Sequence, residues 1–313
     1  MNQKEMRTLL VTSSGRRNEL LALLETVCAK HNIRVIAADA SQQSSVRLSQ
    51  IPFYQLPNVT DATYFDELIK LCDHQKVTGL ISLTDYENVW LSKQSSELHK
   101  KGVKWLGSSP KAIETADHKE RFLTLCEKQN IPHSSLYSLS SAKDDWIKKP
   151  AKGSRSLGVE RLKRDGISED DYSGESSVIV EYLSGDEFTV DVLSDEQGIH
   201  LIVPRLRKQV RDGESVVGET RKNPMIENVI EQIFDALPGL RGIWNVQGFL
   251  NKNDFKVTEL NPRISGGLPL SLHAGANFFD WFVTELKEDV TFEPKSWREN
   301  VSMYRYWQGV YEG

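Results

Sequence analysis

A chain of 313 residues with 39% apolar and 27% charged content is an ordinary globular protein, too long for one small domain, and about two or three compact units are expected. Its 39 basic and 44 acidic residues leave a formal charge of −5, so neither nucleic acid nor an anionic membrane is expected as a partner. No apolar stretch approaches spanning length, and the start, MNQKEMRTLLVTSSGRR, has no apolar leader region; the expected location is the cytoplasm.

The first hundred or so residues alternate strand and helix. The strand TLLVTSS is followed by the helix RRNELLALLETVCAKHN, the strand IRVIAADA, a weak strand FYQLPNV, the helix DATYFDELIKLCDHQ and the strand VTGLISLT. That order predicts a small parallel sheet with helices on both faces, its ligand side at the carboxyl ends of the strands. Gly15, Arg16, Asp39 and Asp85 stand at those ends, either as ligand contacts or as ordinary turn and cap residues. No G-x-G-x-x-G is present, which argues against a dinucleotide. Cys28, Cys72 and Cys126 lie far apart in helical patterns and are expected to be buried thiols.

Ser108-Ser109-Pro110 opens two amphipathic helical stretches. From Trp146 the texture changes to short strands, WIKKP, GVERL, SSVIVEYL, EFTVDVL and GIHLIVPRL, which predict largely antiparallel sheet. The helix PMIENVIEQIFDAL then leads to the strands GIWNVQGFLN and DFKVTELNP, and PLSLHAGANFFDWFVTELKE is helical. The aromatic tail VSMYRYWQGVYEG reads as a strand packed back on the body.

Three segments can carry chemistry. In KVTELNPRISGG, residues two apart on a strand share a face, so Glu259 and Asn261 offer oxygens side by side with Arg263 just beyond. That pattern suits a metal ion held against phosphate oxygens, or a solvated edge strand ending in a turn. In KKPAKGSRSLGV, a lysine closes a strand before a small-residue loop, which fits either an anion-contacting backbone or a plain hairpin. In VIVEYLSGDEFTVDVL, an interrupted strand exposes backbone groups able to meet the edge of a flat base, with carboxylates near for ribose hydroxyls; a hairpin with solvated acids is the alternative.

Taken in order, DHKERF, IKKPAKGSRSLGV, VIVEYLSGDEFTVDVL, IWNVQGF and VTELNPRISGG resemble the ATP-grasp superfamily, in particular its carbamoyl-phosphate-synthase-like and D-alanine–D-alanine-ligase-like members, over roughly residues 109–285. The resemblance implies an α/β and α+β chain, with a small parallel pre-ATP-grasp domain over residues 1–108. The ATP-grasp fold would follow as a helical segment 109–143, a mobile antiparallel flap 144–183, and a C-terminal metal-bearing subdomain 184–313. It implies ATP and magnesium, with manganese possible. Lys119 and Lys149 would bind phosphate, Lys149 being preferred over Lys148 and Lys119 over Arg121. Gly153, Ser154 and Ser156 would belong to the covering loop, Glu181, Tyr182 and Leu183 to the adenine-pairing hinge, and Glu187 would meet the ribose. Gln247, Glu259 and Asn261 would hold metal, with Glu259 the principal ligand, and Arg263 with Lys149 would act on the transferring phosphoryl group.

The implied reaction activates a small carboxylate as an acyl phosphate for attack by an amine or ammonia, releasing ADP and phosphate. One set of motifs argues against a complete carbamoyl phosphate synthase; a nucleotide-binding regulator or a peptide- or protein-modifying ligase are the other readings. For the substrate, Arg205 and Arg207 share a strand face and could clamp a carboxylate, or form a solvated basic strand. Ser265, Gly266 and Gly267 could offer backbone N–H groups, and His273 could reach the same cavity or simply pack. A homodimer is possible on the resemblance.

Overall fold

The apolar strand β1 (Arg7–Thr12) is covered on both sides, which explains its unbroken hydrophobic run. Leu9 and Val11 face α1 (Asn18–Ala29), while Leu10 points the opposite way, towards α2 (Tyr64–Gln75). With β2 (Ile33–Asp39), β3 (Phe53–Gln55), β4 (Gly79–Ser82) and β5 (Lys104–Trp105) it forms a parallel sheet of order β3-β2-β1-β4-β5. In this computed structural model the described residues are 6–312 except 139, 142, 154–157, 169–170 and 172–175. The strand order reverses between β1 and β4, so the crevice beyond Thr12 and Ser82 is the natural ligand side.

Two helices here carry no apolar periodicity and were not expected. In α3 (Asp85–Lys93) the buried residues are Glu87, Asn88, Leu91 and Ser92, and α4 (Ser95–Lys100) buries Leu98. Among the described residues the partners of Glu87 are all hydroxyls: it accepts from Thr12 Oγ1 at 2.6 Å, Ser13 Oγ at 2.7 Å, Ser82 and Tyr64. Asp39 accepts from the Gly15 N–H at 2.7 Å and the Ser41 N–H at 2.8 Å, so it is a turn residue here.

Ser109 caps α5 (Pro110–Asp117) by accepting from the Ala112 N–H, as the Ser-Pro opening predicts, and α6 (Lys119–Lys128) follows at once. A three-stranded antiparallel sheet comes next, with β6 (Asp145–Pro150) between β7 (Glu160–Lys163) and β8 (Ser177–Glu181). The large sheet contains β9 (Asp186–Asp195), β10 (Gly198–Arg211) and β11 (Glu214–Thr220). After α7 (Pro224–Ala236) it gains β12 (Gly242–Leu250) and β13 (Phe255–Asn261). Past α8 (Leu268–His273) and α9 (Asp280–Leu286), β14 (Ser302–Tyr304) completes the order β13-β12-β9-β10-β11-β14.

Period-two alternation divides this sheet between two tasks. Phe188, Val190, Val192, Trp244, Val246 and Leu260 bury against α5, α6 and α7. The residues between them, Glu187, Thr189 and Asp191 on β9 with Asn245 and Gln247 on β12, face the other way, towards a cavity and the N-terminal domain. A second core joins that side to the parallel sheet, combining Leu193, Val203 and Ile243 with Leu9, Val11 and the aromatics of α9. All three cysteines are buried free thiols, as expected. The tail differs from expectation: among its described residues three pair with β11, and Tyr306, Trp307 and Tyr311 are exposed. No helix among the described residues is long and apolar enough to cross a membrane.

Arg205 corrects the reading of a substrate clamp. It is fully buried, and its Nε and Nη2 donate to the two oxygens of Asp191 at 2.7 and 3.0 Å. Asp191 also accepts from Ser265 Oγ and Ser271 Oγ, both at 2.6 Å, so the network ties β9 and β10 to the loop before α8 and to α8 itself. A buried guanidinium must keep its carboxylate, and this one has no freedom to take a substrate's instead. A Cβ at Gly267 would stand 2.1 Å from Arg205 Nη1, which explains a glycine there. Asp191→Ala should lower unfolding stability by about 3–5 kcal/mol through the uncompensated arginine; a shift of the urea midpoint corresponding to less than about 1 kcal/mol would contradict the network's structural role.

Candidate functional site

A cavity of about 840 Å³ lies between the polar face of the large sheet, the three-stranded sheet and the carboxyl ends of the parallel sheet. Its floor is set by strand register: Gln247 pairs with Glu259, and Asn245 with Asn261. Glu259 accepts from Asn261 Nδ2 at 3.1 Å and has Lys119 Nζ 3.8 Å from Oε2. Burial alone would push this carboxyl up. Lys119, Lys149, the Asn261 amide and Arg263 outweigh that and hold it below its ordinary range, so it is an anion at neutral pH.

The two lysines come from separate elements. Lys119 opens α6, is buried, and donates to the Gly153 C=O at 2.7 Å. Lys149 ends β6 and donates to the Thr258 C=O at 3.2 Å, lining the cavity, whereas Lys148 on the opposite face pairs with Asp171 at 2.7 Å. Burial lowers the Lys149 ammonium to about 8, with Glu259 opposing the shift and Lys119 adding to it.

At the far end, Ile147, Val180, Leu183 and Phe249 make an apolar slot beside the interrupted strand. The Glu181 N–H donates to Ser135 O and the Tyr182 N–H to Asp145 O, so neither is free to meet a base. The Glu181 C=O accepts from Ser134 Oγ and keeps a second lone pair, and the Leu183 N–H has no partner among the described residues. The Glu181 carboxylate is held by Lys143 and Lys256, and the Tyr182 ring lies under the Arg161 guanidinium at 4.0 Å. Gly185 makes the following turn possible: its φ is +133°, and a Cβ would meet Leu250 O at 2.4 Å.

The remaining expected residues divide. Arg207 is engaged within the protein, donating to Glu187 at 2.6 Å, to Gln247 Oε1 at 2.8 Å and to Gly213 O at 2.8 Å; it is not a free clamp beside Arg205. Burial raises the Glu187 carboxyl, Arg207 opposing and Glu259 adding to the effect, which sets Glu187 within electrostatic reach of Glu259. Ser265 is buried against Asp191, Gly266 lines the cavity, and His273 points away towards Glu19. Gly153 lines the cavity, while Ser154 and Ser156 lie outside the described residues.

Arg263 depends on the N-terminal domain. Its Nε donates to both oxygens of Asp85 at 2.9 Å, and Asn88 on the same helix donates to Pro262 O at 3.2 Å. Sequence reading noted Asp85 only as a strand-end residue, because its partner is 178 positions away. Arg17, Glu214 and Arg305 were missed for the same reason. Among the described residues no three His, Cys, Asp or Glu side chains converge on one point. The donor set is thus one carboxylate, Glu259, with the amides of Gln247 and Asn261, which suits a magnesium ion completed by phosphate oxygens and water.

Comparison with known proteins bears on the fold. Residues 173–308 match the family described as ATP-grasp in the biosynthetic pathway with Ter operon, and residues 9–106 match the PylC-like N-terminal domain. The chain is thus similar to the ATP-grasp family over residues 173–308 and shares its fold with solved ATP-grasp structures. It is 24% identical over 240 residues to the carbamoyl phosphate synthase large chain of Clostridium acetobutylicum, covering 67% of this chain and 22% of that one. It spans about a fifth of the length of such relatives. Among solved structures, the Campylobacter jejuni biotin carboxylase–β,γ-ATP complex superposes with a TM-score of 0.73 at 12% identity over 96% of this chain and 75% of that one. L-amino acid ligase from Bacillus licheniformis gives 0.71 at 15% over 91% and 75%. The fold expectation is borne out: a parallel α/β domain precedes an ATP-grasp domain with antiparallel sheet.

The site makes a direct claim about Lys149. In NMR spectra of lysine-labelled protein, one side-chain resonance, absent from Lys149→Arg, should lose its proton as pH rises through about 8. A Lys149 resonance unchanged between pH 7 and about 9 would contradict the desolvated position.

Proposed function

We propose that the protein is an ATP-dependent ligase that activates a small-molecule carboxylate as an acyl phosphate and passes it to an amine or ammonia. The observation that carries this reading is the ionised Glu259 set between Lys119 and Lys149 on one cavity wall, with Arg263 beyond it. Such a row of charges is suited to a polyphosphate whose charge moves during transfer. Support comes from the fold shared with a biotin carboxylase bound to β,γ-ATP and with an amino acid ligase. The cavity has room for a nucleotide and a second small molecule.

The base would enter the slot of Ile147, Val180 and Phe249, with its edge at the Glu181 C=O and the Leu183 N–H. Lys119 and Lys149 would bind the phosphates, and Glu259 with Gln247 and Asn261 would hold magnesium, which when bound supplies charge neutralisation along the phosphate chain. Gln247 keeps one lone pair beyond its bond from Arg207, so Glu259 carries most of this role. Arg263, aimed by Asp85, would face the γ-phosphoryl group. A carboxylate oxygen of the acid attacks γ-phosphorus and the bond to ADP breaks. The amine nitrogen then attacks the acyl carbon, phosphate leaves with the electron pair of the C–O bond, and the ammonium proton passes to solvent. Because acyl phosphates react readily with water, the second step requires a closed cavity.

A phosphate-release screen of amino acids, sugar acids and small dicarboxylates against amine donors, ammonia included, tests the reading. ADP and phosphate are expected as products, and hydroxylamine in place of the amine should trap the acyl phosphate as a hydroxamate. Release of pyrophosphate with AMP would overturn the mechanism in favour of adenylation.

A further inference from the structure

Beyond Arg263 the cavity continues to a charged end that phosphoryl transfer does not use. Arg17, from the loop between β1 and α1, lines it together with Glu214 at the start of β11. Arg17 Nη1 lies 3.0 Å from Glu214 Oε1, while Arg305 Nη1, behind them, donates to Glu214 Oε2 at 2.9 Å. Arg305 Nη2 donates to the Gly266 C=O at 2.7 Å. A Cβ at Gly266 would fall 2.5 Å from Arg17 Nη1, so the guanidinium packs flat on that glycine.

Among the described residues one carboxylate is therefore shared by two arginines, which leaves one positive charge at the cavity wall. Asp85 offers no relief, being engaged by Arg263. Burial lowers the Arg17 pKa, with Arg263 and Arg305 acting in the same direction against Glu214. An incompletely neutralised guanidinium of this kind is chemically suited to an anion. The residues after β14 run back onto the N-terminal domain: Trp307 lies 5.5 Å from the Arg16 guanidinium, and Glu312 pairs with Arg47.

We propose that Arg17 is a specificity-determining residue that binds a second anionic group on the acid substrate, remote from the carboxylate that is activated. Arg305 is a positioning residue in this scheme, since by occupying Glu214 it keeps Arg17 from full neutralisation. The inference rests on the reading of the cavity as a carboxylate-activating site and narrows its substrate to acids that carry a second anionic group.

The test compares acids that differ only in the second anion. Glutarate against pentanoate, and 3-phosphoglycerate against glycerate, are titrated calorimetrically into the full chain with magnesium and a non-hydrolysable ATP analogue present. In at least one pair the acid with the second anionic group should bind about tenfold more tightly, and which pair shows it assigns the group as carboxylate or phosphate. Arg17→Gln should erase the difference without weakening the analogue. Glu214→Gln should widen it, a gain that misfolding cannot produce. Equal affinities within both pairs, a preference that survives in Arg17→Gln, or no acid binding at millimolar concentration would each overturn the proposal. Nucleotide binding is read in the same samples: if the analogue fails to bind, the ligase reading falls, and the pair comparison on nucleotide-free protein still decides the role of Arg17.

Discussion

A carboxylate largely withdrawn from water, Glu259, organises this molecule. It stays ionised because Lys119, Lys149 and Arg263 surround it, and Lys149 in turn keeps its proton at neutral pH partly because Glu259 is there. The three cations arrive from α6, from the end of β6 and from the segment after β13. No one segment can form the site, since each charge is tolerated only when the others are in place. The bond from Lys119 to the Gly153 carbonyl binds the helical segment to the end of the three-stranded sheet at the same point.

The N-terminal domain is part of the site's construction. The parallel sheet and the large sheet share a core through α9, and a Cβ at Gly79 on β4 would run into Leu286 at 2.6 Å. Fixed by that packing, α3 presents Asp85 to Arg263 and Asn88 to Pro262, and the loop after β1 presents Arg17 to Glu214. The crevice at the strand-order reversal thus opens onto the floor of the other domain that carries Glu259.

Much of this was legible in the chain. The alternation in TELNP set Glu259 and Asn261 on one face, and the lysine before Pro150 lines the cavity while its neighbour does not. Readings failed where a partner distant in sequence decided the outcome. Arg205 and Arg207 do share a face, but Asp191 and Glu187 on the neighbouring strand claim them, and strand pairing cannot be read from local spacing. Helix α3 was missed because, Leu91 apart, what it buries is polar, so no apolar stripe marks it. Strand β11 did have a signal, the Asp212-Gly213 pair with φ of +51° and +76°, which is the turn chemistry of a tight hairpin.

The central claim is that Glu259 and its cations form one magnesium-dependent nucleotide site. Calorimetric titration of ATP into the wild type and Glu259→Gln, each with and without magnesium, tests it most directly. The account predicts a single site in the wild type, strengthened about tenfold or more by magnesium, with that gain lost in Glu259→Gln while the fold is kept. Wild-type binding that is indifferent to magnesium, or a magnesium gain that persists without the Glu259 carboxylate, would contradict it.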